Sequence, residues 1–298
     1  MLDRESTFAD AEIIKILQTK FVPVAIDQAY QRRQKDTEGD FYRKIAGKGP
    51  RGDGSNGGTT QGLYISTPDG VYLGYSNHRD PARIKKLIRE SLGRFDSKKS
   101  APIQSEKVDA RYNPKPPKGG LVLRVQGKIL DGYKPTENKW KKIFQSAISR
   151  DNLWVTKEEH QAIANGKIPD LVQRRLARYH LVDGTRGEPP MWRNEDIKEI
   201  DMQIKDGKLT GKVKLETKDG SRGYDAVLKG RVEAKDGKVT RMDILASGKF
   251  WGEGRYTRNA PEGKFPLAIT FRLADGSDVA DGIPPQGSRG WIRGYLRN

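Results

Sequence analysis

Cysteine is missing from all 298 residues, which removes disulfides, thiolate nucleophiles, iron–sulfur clusters and cysteine-based zinc sites from the available chemistry. That absence fits either side of a membrane, because an exported protein need not carry disulfides. Long apolar runs are missing too. Nothing approaches the ~18 consecutive apolar residues of a membrane-crossing helix, so no transmembrane segment is expected. The first residues, Met1-Leu2-Asp3-Arg4-Glu5, lack the basic start and apolar stretch of a signal peptide. The expected location is cytoplasmic if Met1 is the native start, and exported if the chain is a mature or trimmed form. Histidine is scarce: His78, His160 and His180 stand far apart, with no i,i+4 pairing and no carboxylate at a recognised metal-site spacing. No metal and no cofactor are expected.

Positive charge is abundant. Lys and Arg number 56 against 39 Asp and Glu, a net +17, which favours anionic partners such as nucleic acid, acidic lipid or an acidic protein and also keeps a chain soluble. Hydrophobic residues make up 34%, on the polar side of globular composition, yet they recur in regular patterns, and the length suits two ordinary domains. From 101 to 150 there are 11 basic and 4 acidic residues, a local +7 around a linker rich in Lys, Pro and Ser that runs from Asp96 to Gly120 and ends Asn113-Pro114-Lys115-Pro116-Pro117-Lys118-Gly119-Gly120. Its polyproline character marks a domain boundary. The expected division is a first domain over 1–95, a basic linker over 96–120 and a second domain over 121–298.

In the first domain Asp10 caps a helix that carries Ile13, Ile14 and Leu17 on one face. The short β-branched run Phe21-Val22-Pro23-Val24-Ala25-Ile26-Asp27 predicts a buried strand. A polar helix is expected from about Tyr30 to Ala46. The segment 47–58, GKGPRGDGSNGG, predicts a mobile loop. It lacks the strand-to-helix setting and the Gly-Lys-Ser/Thr ending of a P-loop. Leu63-Tyr64-Ile65, the turn Thr67-Pro68-Asp69-Gly70 and Val71-Tyr72-Leu73-Gly74-Tyr75 predict an antiparallel hairpin. Asp80-Pro81 then starts a helix bearing Ile84, Leu87, Ile88 and Leu92.

Glu5-Ser6-Thr7-Phe8-Ala9-Asp10 followed by Phe21 to Asp27, the hairpin around Thr67 to Gly70 and the closing helix from Pro81 resemble part of a thioredoxin-like fold, over roughly residues 5–93. In that family a Cys-x-x-C helix precedes such a phrase. This chain starts about where that pair would lie, and it has Thr59-Thr60-Gln61-Gly62 where the family places a cis-proline before the hairpin. The resemblance therefore implies a degenerate fold without its redox chemistry. Thiol–disulfide exchange needs an attacking thiolate and a resolving thiol, and neither is present.

Beyond the linker, Leu121-Val122-Leu123-Arg124-Val125 begins an apolar run, while the stretch from Trp140 to Trp154 is ambiguous between helix and strand. Thr156 and Glu159 form a capping box, and Pro169 opens a helix containing Leu171, Val172, Leu176 and Tyr179. From Ile200 onward apolar and polar residues alternate, and Asp206-Gly207, Asp219-Gly220 and Asp236-Gly237 punctuate the runs as hairpin turns. The fold class is therefore α+β: an incomplete thioredoxin-like α/β domain, then an antiparallel β-meander or partly closed barrel with a few helices.

Two stretches concentrate functional residue types. One runs from Arg178 to Arg193 around a Gly- and Pro-rich loop, and the other is Phe250-Trp251-Gly252-Glu253-Gly254-Arg255-Tyr256. If both lie at one end of the barrel, His180, Asp183, Arg186, Glu188, Trp192, Trp251, Glu253 and Arg255 line a binding pocket. The competing account is structural: His180 finishes a helix, where a cation suits the dipole, and Trp192 and Trp251 plug the open end of the sheet. No residue is singled out as catalytic. Lys115, Lys118, Lys139, Lys141 and Lys142 are the candidate anion contacts, although no nucleic-acid motif accompanies them. The expected role is a non-catalytic binding or assembly protein, with a protein partner or homo-oligomer and an acidic partner as candidates. The alternatives are a nonspecific anion or nucleic-acid binder, and an enzyme or small-ligand binder using the loops around His180 and Trp251.

Overall fold

A computed structural model describes Asp3 and residues 5–101, 103–104 and 108–297. The chain divides into two compact units, Asp3–Pro114 with Arg289–Trp291, and Lys115–Ser288 with residues 292–297. Within the expected linker, residues 102 and 105–107 lie outside the described set. The described residues of 96–114 group with the first unit and residues 115–120 with the second. Asp109 fastens this stretch, since its N–H donates to Asp36 Oδ2 (2.6 Å) and its Oδ2 accepts from Lys35 N (2.9 Å).

The first unit contains α1 (Ala11–Lys20), α2 (Gln28–Gln31), α3 (Thr37–Gly47), β1 (Leu63–Ser66), β2 (Tyr72–Ser76) and α4 (Pro81–Arg94). Asp10 caps α1 by accepting from Glu12 N and Ile13 N, and Asp80 caps α4 with Pro81 in its first turn. β1 and β2 form the antiparallel hairpin, closed by Thr67 and by Gly70 at φ 84°. Ile13, Ile84 and Ile88 are the centre of a small core that Phe21, Leu63, Ile65 and Leu92 border.

Two expectations are corrected in this unit. Phe21–Asp27 is not a buried strand. Its backbone is extended at Phe21 and at Asp27, no residue from Val22 to Ile26 pairs in a strand among the described residues, and Val22, Val24 and Ile26 are 89%, 70% and 47% exposed. A β-branched run has strand propensity, but a strand exists only against a neighbour, and the described residues supply none. The helix expected over 30–46 is two helices, because Asp36 turns its side chain onto Gly39 N and caps α3. At the end of the glycine-rich loop Arg32 Nη1 donates to Gly57 O and Gly58 O, and just after it Gln28 Oε1 accepts from Thr60 N and Tyr42 OH contacts Thr60 Oγ1.

The second unit contains β3 (Leu121–Ile129), α5 (Lys139–Ser146), β4 (Asp151–Val155), α6 (Lys157–Ala164) and α7 (Asp170–Arg175), which continues as a π turn over Leu176–His180. β5 (Ile197–Lys205), β6 (Lys208–Glu216), β7 (Gly223–Lys235), β8 (Lys238–Trp251) and β9 (Lys264–Leu273) follow, with α8 (Ile292–Arg297) last. α5 and β4 resolve the ambiguous stretch. The Thr156–Glu159 capping box opens α6.

The seven strands form one antiparallel sheet in the order β4-β3-β9-β8-β7-β6-β5, curled into a half-barrel with β4 and β5 left as edges. Asp206 and Gly207, like Asp236 and Gly237, take positive φ, as a two-residue hairpin turn requires. The alternation buries one side chain in two: Leu209, Val213, Leu215, Tyr224, Ala226, Leu228, Leu267, Ile269 and Phe271 face the core. Ile163, Val172, Leu176, Ala177 and Tyr295 pack into the same core, so helical residues fill the trough of the sheet.

Candidate functional site

The segment after α7 fulfils only part of the expected pocket. Asp183 and Arg186 are both buried and form a clamp. Asp183 Oδ2 accepts from Arg186 Nε and Nη2, both at 2.7 Å, while Oδ1 accepts from Thr185 N (2.9 Å) and Thr185 Oγ1 (2.6 Å). Every lone-pair direction of this carboxylate that the loop can reach is occupied. Arg186 then spends its remaining donors on Thr257 O and Gly252 O, with Glu253 Oε1 at 3.6 Å. The loop after α7 is thereby fixed to the loop after β8, as the shared-end expectation required for these three residues.

His180 lies elsewhere. Its side chain is fully buried, Nε2 is 2.6 Å from Tyr295 OH, and Nδ1 is 3.1 Å from Asp151 Oδ2. That second contact does not have the geometry of a hydrogen bond. The common pocket is therefore corrected: His180 belongs to a strand-to-helix contact within the core and does not meet Glu253 or Trp251. The reason is the π turn, which widens the last helical turn and carries His180 to the side of β4 and α8 while the chain moves on to Asp183.

The tryptophans differ in role. Trp192 is buried, donates through Nε1 to Leu181 O (2.7 Å), and lies under the Arg222 guanidinium at 3.9 Å. Trp251 is half-buried, donates to Gly220 O (3.0 Å), and has Lys264 Nζ 4.1 Å from its ring. Beside it is a shallow depression of about 340 Å3 lined by Ser221, Trp251, Gly252, Glu253, Ala260, Pro261, Gly263 and Lys264. Trp251 and Glu253 are the expected residues it brings together. Its chemistry is an aromatic wall with one cation and one carboxylate, and Glu253 Oε1 is already engaged by Ala260 N. Arg255 lies exposed against Tyr256, and Glu188 is exposed.

The anion candidates are all exposed but fall in two groups. Lys115 and Lys118 precede β3, whereas Lys139, Lys141 and Lys142 sit on α5 after it. A nine-residue strand spans about 26 Å at ~3.3 Å per residue, so one phosphate group cannot bridge them. Lys139 lies over the Trp140 ring, and Lys142 pairs with Glu137.

Sequence reasoning missed three charge arrangements, those of Arg175 and Arg222 buried and that of Arg124 partly exposed. Arg175 is fully buried, forms a two-pronged pair with Glu159 at 2.8 Å on each side, and donates to Trp154 O, Tyr295 O and Leu296 O. Its signal was a charge on the apolar face of α7 between Val172 and Leu176. Arg124 joins Asp281 and Asp275 across the sequence. Arg222 is buried on Trp192, with donors on Pro190 O and Met191 O and no carboxylate within ion-pair reach among the described residues; desolvation pulls its pKa down to about 10. Among the described residues no three acidic or histidine side chains are arranged to hold a metal ion. No family model, curated protein or solved structure matches the chain.

Proposed function

We propose that the chain is a non-catalytic binding or assembly protein whose first unit takes a partner strand along residues 21–27. The observation that supports this is the exposed apolar run from Val22 to Ile26. Val22, Val24 and Ile26 present β-branched side chains to solvent, and among the described residues no backbone N–H or C=O from Val22 to Ile26 has a hydrogen-bond partner. An apolar segment with open backbone groups is what strand addition uses: the main chain supplies the bonds and alternate side chains supply the fit. The resemblance of residues 5–93 to a cysteine-free thioredoxin-like fold is part of this reading, without the strand that resemblance placed at Phe21 to Asp27. The ion pairing of Asp183 with Arg186 favours this role over chemistry at that loop, and the separated lysines favour it over a phosphate-tracking groove.

The test is capture of bound proteins from the cells that make the chain, using tagged wild-type protein and a Val24→Asp variant. Val24 is exposed, so the substitution should leave the fold intact. A discrete bound species, an untagged copy of the chain included, should fall about tenfold with Val24→Asp, a change of about 1.4 kcal/mol. Identical bound sets for both proteins would defeat the reading.

A further inference from the structure

We propose that the outer face of the seven-stranded sheet binds single-stranded nucleic acid, with Trp251 as the platform on which one base stacks and the exposed cations around it as phosphate contacts. The surface lies wholly in the second unit and goes beyond the strand-addition reading above, on which it does not depend.

The register fixes which side chains share that face. Leu228, Phe250, Phe265, Ile269 and Phe271 point into the core, so their neighbours along each strand point outward. Lys128, Lys214, Lys229, Lys249, Lys264 and Arg272 are outer residues by this rule, all six are exposed, and none has an ion pair among the described residues. On the same face Glu199, Glu233 and Asp243 are already held by Lys212, Arg231 and Arg241. Along these strands Asp201, Glu216 and Asp225 are then the outer carboxylates without a cation, and the face as a whole is positive, in keeping with the net +17 of the chain.

A positive face attracts any polyanion, and Trp251 is what selects among them. Gly223 is its register mate on β7, and a Cβ at Gly223 would fall over Trp251 Cζ2 with Cη2 and Cε2 next nearest, the pattern of a point above the ring face. The indole therefore lies flat across β7, and Nε1 holds it there by donating to Gly220 O (3.0 Å). Its other face carries the Lys264 ammonium, 4.1 Å from the ring centre. An ammonium on a flexible four-carbon stem swings readily from ring to phosphate, which opens the indole to a base. Lys249 is the next outer residue on β8, about 6.7 Å away, so a nucleotide stacked on Trp251 has cations on two sides. From Lys264 to Arg272 the face runs about 27 Å along β9, past the small side chains of Ala268 and Thr270. Cations with an aromatic platform are the combination that single strands use. In a duplex the bases stack on one another, and an acidic polypeptide such as polyglutamate offers no ring.

Fluorescence anisotropy on the full chain tests this with four probes: a labelled oligothymidylate of about ten nucleotides, an abasic strand of that length, a duplex of that length and polyglutamate. The oligothymidylate should bind about tenfold tighter than the abasic strand. Trp251→Ala should abolish that difference without changing abasic binding, and Trp251→Phe should keep most of it. Lys249→Ala and Arg272→Ala should each lower the slope of log affinity on log salt by about 0.7, for both strands alike. These two replace exposed side chains, so the test stands on them even where Trp251→Ala unfolds. Lys115→Ala and Lys118→Ala should leave every value unchanged. So should Val24→Asp, which makes failure here distinct from failure of the strand reading. Equal affinity for thymidylate and abasic strands, a duplex held as tightly as the single strand, or displacement of the strand by polyglutamate at equal charge would overturn the proposal. No binding at low salt, or a loss caused by Lys115→Ala in place of Lys249→Ala, would overturn it as well.

Discussion

Replacing Glu159 by alanine leaves the Arg175 guanidinium in the core without its counter-charge. Arg175 is 0% exposed, and the three carbonyls it also contacts, on Trp154, Tyr295 and Leu296, carry only partial charge. Removing one member of a buried pair costs about 3–5 kcal/mol, since the survivor keeps its desolvation penalty and loses its compensation. Glu159 also accepts from Thr156 N at 2.8 Å, so the capping box of α6 goes with it and adds about 1 kcal/mol. The two losses share one side chain and do not add fully, which gives an expected cost of about 4 kcal/mol. Urea unfolding followed by tryptophan fluorescence reports on this unit, because Trp154 and Trp192 are buried within it. With a slope of about 2 kcal/mol/M, the midpoint should fall by about 2 M. Glu159→Gln keeps an acceptor for Thr156 N and one for Arg175, and should lose about half as much. A midpoint shift below about 0.5 M for Glu159→Ala, or equal shifts for the two variants, would refute the claim that uncompensated charge dominates.

Asp183→Ala should act by the same physics at the other clamp, costing about 3–5 kcal/mol and freeing the loop after β8, read as faster amide exchange at Gly252 and Thr257. Arg222→Met should cost less, about 2 kcal/mol, because it removes the cation from the Trp192 face and two carbonyl contacts but also relieves a desolvated charge with no carboxylate in ion-pair reach among the described residues; Trp192 emission should shift. Tyr224→Phe should lose about 1 kcal/mol by equilibrium unfolding, since the buried hydroxyl serves both Ala246 O and Leu267 O. Asp219 gives a pH signature. Hydrogen bonds from Thr217 and Ser221 lower its pKa to about 2 from 3.8, so its share of stability is present above the unfolded value and is lost as pH falls through about 2. An NMR titration of its carboxyl should find that midpoint, and Thr217→Val should raise it.

Local signals were legible where a short stretch of chain decides its own geometry. Asp10, Asp80 and the Thr156–Glu159 box fixed helix starts, and the Asp-Gly pairs fixed hairpins, because a cap or a two-residue turn is satisfied within a few residues. Alternation from Ile200 onward fixed which side chains of the meander face inward, since the pleat has a period of two whatever surrounds it. The candidate site was legible only in part. Composition drew attention to Asp183, Arg186 and Glu253, and the fold brings those three together; His180 was drawn into the same group by nearness in sequence, and the π turn sends it to Asp151 and Tyr295.

The sequence by itself determined the missing thiol chemistry, the α+β class, the turn positions and the inward face of the meander, because each depends on residue inventory or on neighbours in the chain. Only the tertiary structure decided that Arg175 meets Glu159, that Arg222 lies on Trp192, and that Val22 to Ile26 stays out of any strand among the described residues. Those outcomes depend on partners far away in sequence. A charge is neutralised, and a strand completed, only by what the fold places beside it.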